Sequence, residues 1–148
     1  MFLIDTNVIS EARKGGRADS GVKAFFAKTA ADRIPAFLSV ITIGELRRGV
    51  ELIRHRGDTC QAQLLEKWLE SVLAGFADNI LAIDSDIAQL WGRLCAPHAE
   101  NSLDKLIAAT ALIHGLTVVT RNTRHFAMAG VQVLDPFSAT TRGGRPAP

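Results

Sequence analysis

The length and composition of the chain indicate one folded domain. Its 148 residues are 47% hydrophobic and 22% charged, which is the balance of a chain that buries a core rather than of one that stays disordered. Its 17 Lys and Arg residues nearly offset its 15 Asp and Glu residues, leaving a formal net charge of +2. This balance excludes a strongly basic protein that coats nucleic acid and an acidic tail protein.

The cysteine content and the N-terminus predict an intracellular protein. The 2 cysteines, Cys60 and Cys95, could form at most one disulfide bond, which is too few for a disulfide framework. The chain reaches Asp5 after a short apolar run and has no signal-peptide pattern. No stretch approaches the roughly 18 uninterrupted apolar residues that a membrane helix needs. We therefore expect a cytoplasmic protein that does not bind membranes.

Strand and helix patterns alternate in the first half of the chain. Hydrophobic periodicity predicts, in order, a strand at 2–4, a helix after it, a helix at about 22–30, a strand at 34–40 and a helix from 42 to about 56. Asp5 and its two polar neighbours can cap the first helix, and Gly57 ends the third.

The same alternation continues in the second half. The pattern predicts a helix through 64–75, a strand at 80–83, helices at 85–94 and 102–114, and strands at 116–120 and 131–134. Pro97 stops one of these helices, and Gly115 closes the next. Such alternation indicates an α/β domain with a mostly parallel central sheet flanked by helices on both faces.

The last residues differ in character from the rest. Residues 138–148 lose the apolar periodicity and carry Arg142 and Arg145 among glycines and prolines. We expect one domain at 1–137 and a flexible basic C-terminal tail at 138–148.

Three acidic residues lie where a ligand site is expected in such a fold. Asp5 directly follows the first strand, Asp104 lies in the first turn of a predicted helix, and Glu45 follows Thr42 by three residues. Each has an ordinary local explanation, as a helix cap, a helix-dipole partner and half of a capping box, respectively. Together, however, they would repel one another at the carboxyl edge of the sheet unless a cation lay between them.

The residue types at this edge favour a hard cation. Oxygen ligands suit Mg²⁺ or Mn²⁺, which retain waters and bind phosphate oxygens. Zinc fits less well, because the 4 histidines and 2 cysteines lack the spacing of a zinc site.

Four motifs stand out along the chain: FLIDTNVIS at 2–10, LSVITIGELRRG at 38–49, DKLIAATALIHG at 104–115 and LTVVTRNTRHF at 116–126. Together they resemble the PIN-domain ribonucleases, and most closely the VapC and FitB toxins of type II toxin–antitoxin systems. They occur in the family's order and span nearly the whole chain short of its tail. The resemblance implies a PIN-like fold over residues 1–137 and a metal-dependent endoribonuclease that uses Mg²⁺ or Mn²⁺.

The resemblance also implies roles for individual residues. Asp5, Glu45 and Asp104 match the three metal-binding, catalytic acids of the family. Asn122 stands where many members carry a fourth acid, and an amide there contributes no charge. Supporting roles at the same edge are implied for Thr6, Asn7, Thr120 and Asn122.

Arginines near these acids are candidates for binding RNA phosphates. Arg47 and Arg48 follow Glu45, and Arg121 and Arg124 flank Asn122. The alternative is that they are solvated residues paired with nearby acids.

The resemblance further implies two protein partners. A cognate antitoxin would inhibit the enzyme by binding near the acidic cleft. Members of the family usually form homodimers, and the predicted helix pair at 43–73 has enough apolar positions to supply an interface beyond the core.

Other readings of the acids are less compatible with the sequence. A haloacid-dehalogenase-like phosphatase needs a second Asp two residues after the first, where this chain has Asn7. A phosphoacceptor receiver domain needs an acidic pair near the end of the first strand, which here supplies Asp5 alone. Because Asn122 lacks a charge, a PIN-like RNA-binding or regulatory module with weak or no catalytic activity remains the alternative.

Overall fold

A five-stranded sheet forms the centre of the structure, a computed structural model that describes residues 1–137. The strands are β1 (Phe2–Ile4), β2 (Ala36–Ser39), β3 (Ile80–Leu81), β4 (Thr117–Val119) and β5 (Val133–Leu134). Their order across the sheet is β3-β2-β1-β4-β5, and every pairing is parallel. The predicted α/β fold is therefore confirmed, whereas the predicted basic tail at 138–148 lies outside the described residues.

Seven helices connect and cover these strands in the described part of the chain. They are α1 (Thr6–Ala12), α2 (Ser20–Ala31), α3 (Val40–His55), α4 (Thr59–Gly75), α5 (Ser85–Cys95), α6 (Ser102–His114) and α7 (Thr123–Ala127). Two short 3₁₀ turns lie at Gly15–Arg17 and Ala77–Asn79. No helix within residues 1–137 is both long enough and apolar enough to span a lipid bilayer.

The central strand β1 is buried on both faces because alternate side chains enter different cores. Leu3 packs with Ile107 of α6 and Phe126 of α7 in one cluster. Ile4 packs with Val8 of α1 and Leu46 of α3 in the other. Since successive residues of a strand point to opposite faces, helices cover both sides of the sheet, and only the strand ends are open to a ligand.

The start of α3 differs from the prediction. Ser39 is the N-cap, and its hydroxyl accepts a hydrogen bond of 3.1 Å from the backbone N–H of Ile41. The predicted capping box of Thr42 and Glu45 is therefore wrong: Thr42 lies buried inside the first turn, and its hydroxyl has no hydrogen-bond partner among the described residues. Glu45 therefore does not cap α3, and its carboxylate is available for other contacts.

Helix α7 was absent from the predicted elements. It has five residues and buries Phe126, so it is too short to show a helical period in the sequence. The helix follows β4 and brings a further polar residue, His125, within hydrogen-bond distance of Asp104.

Gly21 closes the fold near the end of the described chain. A Cβ atom at this position would lie 2.1 Å from the backbone carbonyl oxygen of Pro136. We expect Gly21→Ala to lower the free energy of unfolding by about 1 to 3 kcal/mol, because backbone atoms must move to admit the methyl group. Chemical denaturation in urea measures the change.

Gly92, in the middle of α5, is the matched control. A Cβ there would meet no atom within 4 Å, so Gly92→Ala should stabilise the protein by up to about 1 kcal/mol through helix propensity. Equal stabilities for the two variants would contradict the close approach at Gly21.

Candidate active site

Asp5 occupies the point where the two most central strands end. Its backbone N–H donates a 3.0 Å hydrogen bond to the carbonyl of Val119, extending the ladder between β1 and β4 by one residue. The residue then serves as the N-cap of α1. Only 4% of Asp5 is exposed to solvent, so the carboxylate sits inside the carboxyl edge of the sheet.

Three donors fix the Asp5 carboxylate. Its Oδ1 accepts a 2.8 Å hydrogen bond from the backbone N–H of Thr6. Its Oδ2 accepts bonds of 2.8 Å from the Asn7 side-chain amide and 2.7 Å from the Thr120 hydroxyl. Because both oxygens are held, the carboxyl group has one preferred orientation.

Thr120 connects this carboxylate to the loop after β4. Its hydroxyl donates to Asp5 and accepts hydrogen bonds from the Asn7 amide at 3.2 Å and the Asn122 backbone N–H at 2.9 Å. One donor and two acceptor positions are the full capacity of a hydroxyl. Asn7 completes the connection, since its Oδ1 accepts a 3.1 Å bond from the backbone N–H of Arg121.

Glu45 reaches the same edge from α3. Its Oε2 accepts a hydrogen bond from the hydroxyl of Thr6 on α1. Thr6 thus contacts two acids, Asp5 through its backbone and Glu45 through its side chain. Thr6 therefore links the start of α1 to the second turn of α3.

Asp104 reaches the edge from the first turn of α6, on the other side of the sheet. Its Oδ2 lies 2.9 Å from Nδ1 of His125 on α7. Sequence spacing missed this pairing, because the two residues are 21 positions apart and belong to different elements. A carboxylate beside an imidazole is an orienting arrangement often found around metal ligands.

The electrostatics of Asp5 indicate that the three acids act on one another. The pKa of Asp5 is raised from 3.8 to about 6, chiefly because burial disfavours the charged form. The hydrogen bonds from Thr120 and Thr6 lower this pKa, and the negative charges of Asp104 and Glu45 raise it. The structure therefore brings the three predicted acids to one edge, with Asp5 at the most unfavourable position for a lone negative charge.

The donor chemistry of this edge suits a hard divalent cation. Within residues 1–137, no three His, Cys, Asp or Glu side chains lie together as a group that could hold a metal ion. Mg²⁺ does not need one, because it keeps several waters and commonly binds through one or two carboxylates together with substrate phosphate. Carboxylate, hydroxyl and amide oxygens are the ligands available here, and they match Mg²⁺ or Mn²⁺ better than a soft metal.

The four predicted RNA-binding arginines have different environments. Arg47 forms ion pairs with Glu66 of α4 at 2.5 Å and Glu51 at 3.5 Å. The guanidinium of Arg121 lies 3.7 Å from the centre of the Phe137 ring. Arg48 and Arg124 are exposed. The contacts of Arg47 agree with the alternative stated above, a surface arginine paired with nearby acids. RNA binding by any of the four arginines stays a prediction.

A family model described as PIN domain matches residues 2–131. The chain belongs to the PIN-domain family. Among similar PIN-domain proteins, Toxin FitB of Neisseria gonorrhoeae is 35% identical over 142 residues, which cover 93% of this chain and 99% of FitB. VapC ribonuclease Y4jK of Sinorhizobium fredii is 32% identical over 143 residues, covering 93% of this chain and 98% of that protein.

Solved structures of PIN-domain proteins share the architecture. The crystal structure of FitAcB from Neisseria gonorrhoeae matches with a TM-score of 0.78 and 35% identity, covering 93% of this chain and 99% of that one. A toxin–antitoxin complex from Klebsiella pneumoniae matches with a TM-score of 0.57 and 27% identity, covering 92% and 98% of the two chains. The resemblance seen in the four sequence motifs is therefore confirmed.

The raised pKa of Asp5 predicts a pH dependence of stability in metal-free buffer. A carboxyl group with a higher pKa in the folded state contributes stability that is complete below pH 3.8 and is lost as the pH rises through about 6. Asp5→Asn removes this loss. Relative to wild type, the variant should gain on the order of 2 kcal/mol in free energy of unfolding between about pH 4 and pH 7.5.

Urea denaturation of both proteins at several pH values, with chelator present, measures this difference. Asp86→Asn is the control, because Asp86 is an exposed carboxylate of α5 and is not one of the three acids of the site. A constant difference between Asp5→Asn and wild type across the pH range would show that burial does not strain the Asp5 carboxylate.

Proposed function

We propose that this PIN-domain protein is a Mg²⁺- or Mn²⁺-dependent endoribonuclease and the toxin of a type II toxin–antitoxin pair. One observation carries the proposal: the Asp5 carboxylate is 4% exposed, and its pKa is raised to about 6 by burial and by the charges of Asp104 and Glu45. Three acids in this arrangement disfavour one another without a cation. A bound divalent cation would offset this repulsion and would also attract a substrate phosphate.

The names of similar proteins support the ribonuclease and the toxin–antitoxin parts of the proposal. One relative is called a VapC ribonuclease, another a toxin, and one structural neighbour a toxin–antitoxin complex. The alignment with each of these three proteins covers more than nine-tenths of this chain. An antitoxin is accordingly the protein partner we propose.

We propose different roles for the acidic residues of the site and for their polar neighbours. We assign Asp5, Glu45 and Asp104 to the metal, which would lower the pKa of a bound water and neutralise charge on the scissile phosphate. The hydroxyls of Thr6 and Thr120 and the amide of Asn7 hold two of these carboxylates in orientation. Asn122 lies at the same loop and contributes an uncharged amide. No side chain is required as a nucleophile, because water is the attacking group.

Substrate and subunit contacts extend from this site. Arg48, Arg121 and Arg124 are exposed cations that we assign to RNA phosphates, and Arg47, which is paired with Glu66 and Glu51, is a further candidate. We also propose a homodimer. Leu52 on α3 and Leu64 on α4 are 39% and 63% exposed, which leaves apolar surface on this helix pair after the core has formed.

Metal-dependent cleavage is the central test. Purified protein freed of antitoxin should cut single-stranded RNA in Mg²⁺ and leave 5′-phosphate and 3′-hydroxyl ends, and chelator should stop the reaction. Asp5→Asn, Glu45→Gln and Asp104→Asn should each lower the cleavage rate by about 100-fold or more. The measurement is the rate of cleavage of end-labelled RNA, with product ends identified by phosphatase and ligase treatment.

Asp86→Asn again serves as the control and should cleave at the wild-type rate. Cleavage that survives chelator or Asp5→Asn would overturn the metal mechanism. RNA binding without cleavage by wild type would instead favour the alternative of a PIN-like RNA-binding or regulatory module.

The toxin role has its own test in growing cells. Induced wild-type protein should arrest bacterial growth, because uncontrolled RNA cleavage stops protein synthesis. Asp104→Asn, which removes one assigned ligand, should not arrest growth at the same protein level. Colony counts after induction, with immunoblots to match expression, measure the effect, and equal arrest by the variant would separate toxicity from catalysis.

A further inference from the structure

A cleft between α1, α3 and α4 opens next to the acidic edge. It encloses about 230 Å³, which is smaller than the pockets of roughly 300 to 1,000 Å³ that hold drug-sized ligands. Thr6 and Glu45 line it, and these two residues are hydrogen-bonded to each other within the site described above. The cleft is therefore continuous with the acidic edge rather than a separate cavity.

The walls of the cleft combine an aromatic ring with a few polar groups. Trp68 of α4 contributes a half-buried indole, and the guanidinium of Arg13 lies 5.8 Å from the centre of that ring. Ser10 adds a hydroxyl, and the remaining wall is largely apolar. An apolar slot of this size, with an aromatic ring, one cation and hydroxyls, matches a single flat ring system that carries hydrogen-bonding edges.

Gly49 of α3 contributes open space to the same wall. A Cβ at Gly49 would meet no atom within 4 Å, although the residue lines the cleft. A side chain added there would therefore enter the cleft without displacing the core. Substitution of Gly49 by a larger residue is therefore a direct way to fill the cleft.

We propose that this cleft is a subsite for one unstacked nucleobase of the RNA, next to the scissile phosphate and stacked against Trp68. The inference rests on the proposed function, since it takes the scissile phosphate to lie at the acidic edge. A nucleotide joined to that phosphate has its base within reach of Glu45 and Thr6. Proteins that bind single-stranded RNA commonly hold bases on aromatic rings and beside arginines.

Filling the cleft tests the proposal without disturbing the core. Gly49→Leu places a side chain in the cleft, and Gly92→Leu is the matched control, because Gly92 is also within a helix and free of neighbours within 4 Å. Both changes are made in Asp5→Asn protein, which should bind RNA in Mg²⁺ without cutting it. The probes are short single-stranded RNAs, intact or carrying one abasic nucleotide at each position in turn.

In the control protein, removal of the base at one position should weaken binding about tenfold, as expected for the loss of one stacked base. In Gly49→Leu the intact RNA should already bind about tenfold more weakly, and the same abasic change should then have little effect. Trp68→Phe, which retains a ring, should preserve most of the discrimination, and Trp68→Ala should lose it. Fluorescence anisotropy of labelled RNA measures these affinities.

Tryptophan fluorescence provides an independent measurement. The chain has 2 tryptophans, so Trp91→Phe leaves Trp68 as the one reporter. Intact RNA should quench the emission of Trp68, and the critical abasic RNA should not. In Trp68→Phe, where Trp91 on α5 is the reporter, RNA should leave the emission unchanged.

The outcomes distinguish the subsite from the function it rests on. RNA binding that responds equally to every abasic position in all variants, while wild-type protein still cleaves RNA, would overturn the subsite and leave the proposed ribonuclease intact. Loss of antitoxin binding in Gly49→Leu with unchanged RNA binding would assign the cleft to the protein partner and also overturn the proposal. Absence of RNA binding in every variant, together with absence of cleavage by wild-type protein, would overturn the proposed function itself.

Discussion

The hydrogen bond between Thr120 and Asp5 holds the site together. At 2.7 Å, it joins the residues that immediately follow the two central strands and fixes a carboxylate that solvent scarcely reaches. The Asn7 amide and the Asn122 backbone N–H complete the coordination of the Thr120 hydroxyl. Without this connection the loop after β4 would lose one of its links to β1, and the buried carboxylate would lose a neutral donor that favours its charged form.

The ionised form of Asp5 lowers the stability of the folded protein. Burial and two neighbouring carboxylates disfavour the ionised form of Asp5, whereas three hydrogen bonds fix its geometry. Groups held in this way are common at functional sites, because the surrounding fold supplies the stability that the site itself lacks. Here that support comes from β1, where Leu3 and Ile4 are fully buried in cores on opposite faces of the sheet.

Much of this arrangement could be predicted from local patterns, and the remainder depends on contacts between distant residues. Alternating strands and helices indicated the parallel sheet, and the positions of Asp5 and Asp104 after a strand and at a helix start indicated their edge. The start of α3 was misjudged because Thr42 and Glu45 fit a capping box, although Ser39, directly at the end of β2, takes that role. The pairings of Thr6 with Glu45 and of His125 with Asp104 span 39 and 21 residues, so local sequence carries no signal for them.

Asp5 and Thr120 are in contact in the folded protein but far apart in the sequence, and this affects when the site can form during synthesis. The two residues are 115 positions apart, and β4 pairs with β1 near the opposite end of the described chain. A ribosome extends a chain at about 5 to 20 residues per second, so for several seconds the nascent protein contains the first acid but not the strand that completes its environment. Parallel strands so distant in sequence also form slowly, since the loop between them must close first. The assembled site therefore arises only once nearly all of the described domain has been made, so the nuclease activity that we propose could not begin while β4 is still unmade.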